Sequence, residues 1–153
     1  MNGQKESPAR ILVVWEDIDY RNLFSYFLKE LGYIVEMATS CNEGLSIIIN
    51  KPPDLLIAPR WNQERNDGFN LCKQIRENPN IPLFPIIIGL ADELDLSPRQ
   101  CIEKTYEIGA NACFGRVFDT TDIAVLINTL LENPNLTKLA DRQTMNFANS
   151  SKE

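Results

Sequence analysis

The stretch Pro52–Pro79, PPDLLIAPRWNQERNDGFNLCKQIRENP, carries the fold in small. The apolar run Asp54–Ala58 reads as a strand buried on both faces. Pro59 closes it, a polar loop follows, and Gly68–Glu77 repeats Phe69, Cys72 and Ile75 at helical spacing before Asn78-Pro79 stops the helix. A strand, a loop and a helix in that order form one half of a βαβ unit. The chemical oddity is its tip. Strands of this kind deliver reactive side chains at their carboxyl ends, and proline offers only a closed ring.

Outward from this unit the alternation repeats. Arg10–Val14, RILVV, is an apolar strand, and Tyr20, Leu23, Phe24, Phe27, Leu28 and Leu31 follow at helical spacing as a core stripe, with Gly32 at the helix end. YIVEMA is a second strand, and Ser40-x-x-Glu43 is a capping box opening a helix that runs to Asn50. Beyond the central unit, PIIIGL is a fourth strand and Ser97-Pro98-Arg99-Gln100 a helix start. ACFG is a short fifth strand, and a last helix carries Ile123, Leu126, Ile127, Leu130 and Leu131 up to Asn133-Pro134. Residues 1–9 form a polar lead-in, 10–133 the domain, and 134–153 a polar tail expected to fray. Right-handed crossovers must pack back on the sheet, so five such units predict an α/β fold: a doubly wound parallel sheet with helices on both faces. Its functional crevice lies outside the carboxyl ends of the strands.

Composition narrows the chemistry. The 153 residues are 44% hydrophobic and 24% charged, a balance suited to one globular domain. Net charge is −6, which sets most of the surface against nucleic-acid phosphate. With no histidine, imidazole acid–base catalysis, Ser-His-Asp hydrolysis and most zinc sites are excluded. Cys41, Cys72, Cys101 and Cys113 show no CxxC spacing and read as buried free thiols of a reducing compartment. No phosphate-binding glycine motif follows the first strand, so nucleotide binding has no support. No signal peptide or spanning segment is evident, and a cytoplasmic location away from membranes is expected.

Taken in order, ILVVWEDIDYRNLF, PPDLLIAPRW with NDGFNLCKQIRENPNIPLFPIIIGLA, and EIGANACFGRVFD resemble the receiver domain of two-component response regulators. The likeness runs from about Arg10 to Asn133 and implies a flavodoxin-like sheet with strand order 2-1-3-4-5. It also implies a phospho-acceptor pocket, which this chain fills with other residues. Trp15 and Glu16 stand where the family has two metal-binding acids. Pro59 occupies the place of the phosphoryl-accepting aspartate, and Leu90 that of the capturing Ser or Thr. Arg116 replaces the lysine of the fifth strand, Val117 the proline after it, and Cys113 the switching aromatic.

These replacements change what the site can do. Magnesium wants octahedral oxygen ligation, and an indole has no oxygen. Aspartyl-phosphate chemistry needs a carboxylate, which proline lacks. Asp54 lies about 16 Å back along the strand, at the wrong end of the sheet. Asp67 begins the next helix, where an acid favours the helix dipole. Trp15 is expected to plug the former metal pocket, and Arg116 to pair with Glu16 or stack on Trp15, with a trans Arg116–Val117 bond. Glu16 and Asp17 read as helix N-terminus decoration, and Asp92, Glu93 and Asp95 as a solvated acidic loop. Arg60, Trp61 and Arg65 are expected in an exposed loop, where Arg and Trp suit an interface.

The expectation is therefore a non-enzymatic, degenerate receiver without metal or cofactor, acting through phosphorylation-independent binding. With only about twenty polar residues after the last helix, the signal is expected to pass to a separate signalling protein: a sensor kinase, an output protein or another receiver. Homodimerisation stays open. The contact surface is either the loops over the pocket or the face of the fourth and fifth helices with the fifth strand. Two alternatives remain: a phosphorelay receiver with an unconventional acceptor, and a small-ligand sensor using the crevice between Trp15, Arg60 and Arg116.

Overall fold

The structure, a computed structural model, describes residues 7–60, 68–89, 98–115 and 119–133. In chain order the elements are β1 Arg10–Val14, α1 Ile18–Glu30, β2 Ile34–Ala38, α2 Cys41–Asn50 and β3 Leu55–Pro59. They continue with α3 Gly68–Glu77, β4 Ile86–Gly89, α4 Pro98–Glu107, β5 Ala112–Phe114 and α5 Thr120–Glu132. All strand pairs are parallel, and the sheet order is β2-β1-β3-β4-β5, as the resemblance implies.

Side-chain alternation sorts the core into two layers. Ile11, Val13, Leu55, Ile57, Ile87, Ala112 and Phe114 face α1 and α5, where Phe24, Leu28, Ile123, Leu126, Ile127 and Leu130 meet them. Leu12, Val14, Leu56, Ala58, Ile86, Ile88 and Cys113 face the other way, against Cys41 and Ile48 of α2 and Phe69, Leu71, Cys72 and Ile75 of α3. Each fully buried Leu or Ile contributes roughly 1.5–3 kcal/mol relative to exposure. Every residue of β3 is buried, as befits the middle of the sheet, whereas edge strand β2 is buried only at Ala38.

The helix ends follow their local chemistry. The Asp17 carboxylate caps α1, accepting the N–H groups of Asp19 and Tyr20 at 2.8 and 3.3 Å. Beyond the other end of α1, Gly32 takes φ 96°, as its place after the apolar stripe predicts. Ser40 caps α2 by accepting the Glu43 N–H at 3.1 Å. The return bond lands one residue earlier than in a standard capping box: Glu43 Oε1 accepts the Thr39 N–H at 2.7 Å and its hydroxyl at 2.9 Å. Those Thr39 bonds, backbone first, hold the Glu43 carboxyl below its ordinary pKa.

The α1 stripe corrects one expectation. Phe24 and Leu28 are fully buried, but Leu23 and Leu31 remain 45% and 46% exposed. Six apolar positions spread around more of the helix than a sheet on one side can cover. Cys41, Cys72 and Cys113 are buried thiols outside any disulfide, and burial raises the Cys72 pKa to about 12. The side chain of Cys101 is outside the described part.

Candidate functional site

The carboxyl ends of β1, β3, β4 and β5 converge where the crevice is expected. Pro59 is in register with Gly89, and Gly89 with Phe114. Pro59 lies within β3, one residue further than the sequence reading. The ladder between β3 and β1 ends at Ile57, so the missing Pro59 N–H removes no β1 bond. Pairing with β4 continues beyond it, because Arg60 N–H donates to the Gly89 carbonyl at 2.8 Å. Gly68 N–H in turn donates to the Arg60 carbonyl at 3.2 Å, bringing the start of α3 down onto the tip. That approach is so close that a Cβ on Gly68 would sit 1.9 Å from the Pro59 carbonyl oxygen. The glycine of the Asp67-Gly68 pair is thus a steric requirement.

Trp15 fills the crevice. It is 7% exposed and packs on the α1/α5 layer, its ring 5.3 Å from that of Tyr20, 5.7 Å from Phe24 and 6.2 Å from Phe114, the last stacked at 19°. Phe24 and Phe114 close the group at 5.7 Å. Such pairs contribute about 0.5–1.5 kcal/mol each beyond the area they bury. The far edge of the indole reaches β4: a Cβ on Gly89 would lie 2.3 Å from Trp15 Cη2. Since β3 stands between β1 and β4, the ring spans the end of β3. The backbone beneath it is held as well. Arg21 Nη1 donates to the carbonyls of Trp15 and Glu16, both at 2.8 Å, and Trp15 N–H donates to the Ala38 carbonyl at 3.0 Å.

The other sequence-flagged residues divide. Glu16 is exposed beside this cluster, and its neighbour Asp17 is the α1 cap. Arg60 corrects the sequence reading: it is only 6% exposed, not part of an exposed loop. Strand alternation turns its side chain away from Trp15 to the opposite layer, where the guanidinium lies 5.2 Å above the Phe69 ring of α3. Asp54 lies at the amino end of β3, as expected, where its carboxylate accepts the Arg10 N–H at 2.7 Å. Leu90, Arg116, Val117, Trp61, Arg65, Asp67 and the acidic loop at Asp92, Glu93 and Asp95 lie outside the described residues. Sequence reasoning placed Gly89 at the tip of the fourth strand and Tyr20 in the core stripe of the first helix without giving either a role in the site, and it passed over Phe114 and Arg21, which complete the site. Their visible signals were a glycine ending a strand and aromatics at the starts of a helix and a loop.

The described side chains do not fit a magnesium ion. Indole carbon occupies the space at the strand ends, and among the described residues no three Asp, Glu, Cys or His side chains gather in a ligand group.

No protein-family model matches the sequence. Among curated proteins, it is 30% identical over 130 residues to the probable transcriptional regulator ycf27 of Cyanidium caldarium, covering 85% of this chain and 49% of that one. It is 25% identical over 122 residues to the DNA-binding dual master transcriptional regulator RpaA of Synechocystis sp., covering 80% and 48%. The chain spans about half the length of the curated relatives it matches. Among solved structures, a putative response regulator from Chloroflexus aurantiacus superposes with a TM-score of 0.74 at 26% identity, covering 82% of this chain and 99% of that one. The Vibrio cholerae chemotaxis protein CheY4 superposes at 0.70 and 23%, covering 81% and 99%, a likeness of fold.

Sheet order, helix placement and these likenesses define the CheY-like flavodoxin fold. The domain is a response regulator receiver domain, a module of two-component signal transduction. Modules of this family are typically non-catalytic and interact with signalling proteins. Among the described residues, no helix is long and apolar enough to cross a membrane.

Proposed function

We propose that this receiver domain is a degenerate one that signals without phosphorylation, by binding another signalling protein. The observation that carries the reading is the Trp15 indole packed across the strand ends, above a β3 tip that ends in Pro59. The family's chemistry there would need a carboxylate acceptor and acids for a metal, and this tip offers an aromatic ring and a tertiary amide. The Asp54–Arg10 bond supports the same reading, because it commits the nearest upstream acid to the opposite end of the sheet. The partner is a signalling protein of the same pathway class, recognised by shape and surface chemistry.

The test is incubation with Mg²⁺ and acetyl phosphate followed by intact-mass measurement and by partner capture from native extract. An unchanged mass and the same captured partner with or without the phosphodonor are expected. A hydroxylamine-labile phosphate adduct would overturn the proposal in favour of an unconventional acceptor.

A further inference from the structure

We infer that the Trp15 indole is a built-in lock that holds the ends of β1, β4 and β5 in a single arrangement. The inference rests on the proposed reading of the domain as one that signals without phosphorylation and states how the geometry of this end is kept without a chemical trigger.

Three observations carry it. First, the ring links segments remote in sequence: it grows from the end of β1, packs on Tyr20 and Phe24 of α1, and stacks on Phe114 of β5. Second, it fits only because β4 ends in a residue without a side chain, since a Cβ there would fall 2.3 and 2.8 Å from Trp15 Cη2 and Cζ3 and 2.9 Å from Phe114 Cζ. Ring and gap are complementary, so the indole has one seat. Third, the peptide that carries the ring is clamped independently by the two Arg21 bonds to the Trp15 and Glu16 carbonyls. A swing of the ring into solvent would expose a large aromatic surface and leave a hole bounded by Phe24, Phe114 and Gly89. Packed interiors deform between discrete states, not continuously, so holding this one seat holds the strand ends with it.

The experiment uses the full chain with Trp61→Phe, which leaves Trp15 as the single indole fluorophore. Backbone ¹⁵N relaxation dispersion at Gly89 and Phe114 reads microsecond-to-millisecond exchange, and emission reads the burial of the ring. Flat dispersion profiles and a blue-shifted emission are expected, both unchanged by Mg²⁺ with acetyl phosphate. Two variants then release the lock. Gly89→Ala adds the clashing methyl group and should red-shift the emission. Trp15→Leu keeps apolar bulk but loses the reach to β4 and β5, and should bring exchange to the Gly89 and Phe114 amides. Exchange at these amides in the parent protein, or profiles in Trp15→Leu as flat as the parent's, would overturn the lock, even if Gly89→Ala failed to fold. A phosphate adduct with flat parental profiles would instead overturn the inert-site reading and leave the lock standing.

Discussion

Among the described residues, the two ends of the sheet show the reverse of the characters usual for a doubly wound fold. At the amino end, where such folds keep only structural contacts, the polar bonding is dense. Arg10 reaches the Pro52 carbonyl at 2.9 Å and pairs with Glu36, and its N–H takes Asp54. Across the sheet, buried Asn111 accepts the Ile86 N–H at 2.9 Å and Arg76 Nη2 at 3.1 Å, while Arg76 Nε donates to the Gly109 carbonyl at 3.0 Å. Burial pushes the pKa of Arg76 down, yet the guanidinium stays seated above the Phe84 ring. At the carboxyl end, where chemistry is expected, Trp15, Pro59, Gly89 and Phe114 meet as hydrocarbon. Among the described polar groups near it, Asp17, Ser40 and Glu43 are engaged with the helix starts and Arg21 with the Trp15 and Glu16 carbonyls. The contrast teaches that, among the described residues, directional bonds tie together the amino end of the sheet while aromatic packing joins the strand tips at the other.

Substitutions at the two ends can break or sharpen that contrast. The largest effect is expected at the packed end. Gly68→Ala places a methyl 1.9 Å from the Pro59 oxygen, a backbone atom that cannot rotate aside, and should cost roughly 3 kcal/mol in urea unfolding. A loss under about 1 kcal/mol would mean that the tip has slack and the contrast is overstated. Next comes the bonded end. Asn111→Ala leaves the Ile86 N–H and Arg76 Nη2 without their buried acceptor, and about 2–3 kcal/mol should be lost in the same assay. If the loss were only that of a surface residue, the amino-end network would not be structural.

Glu36→Gln should act more weakly. Its partner Arg10 keeps backbone carbonyl acceptors, and the pair is partly exposed, so under about 1 kcal/mol is expected, shrinking further as salt is added. A larger, salt-insensitive effect would mark the pair as a buried element of the end. The smallest effect is one of slope. The folded pKa of Glu43 lies below its ordinary 4.5, so its contribution is complete above that value and is lost as pH falls through the folded pKa. Glu43→Gln should flatten the stability curve below about pH 4.5 and leave its slope unchanged at neutral pH. Parallel curves for parent and variant through the acid range would show the Thr39 bonds to be without consequence.

Much of this was legible in the sequence. The bounds of β1 and α3 coincide with the reading, because an all-apolar run and a Gly-to-Pro helical segment carry their limits locally. The strand order came from the resemblance, and Trp15 and Pro59 were flagged by what stands in their places. What local pattern could not give was the partner of each side chain. Arg60 looked exposed because charge and loop position suggest it, but strand alternation continues one residue past Pro59 and turns it onto Phe69. The fit of Trp15 into the space left by Gly89 joins residues far apart in the chain, and no periodicity records such a match.

That match also constrains how the sequence can change. Exchanging Trp15 for an acid, with nothing else altered, would open a hole over β3 and set a charge among Phe24, Phe114 and Ile57. Giving Gly89 a side chain first would drive that side chain into the indole. Either change alone is harmful, so the two positions form an epistatic pair in which the residue tolerated at one depends on the residue at the other.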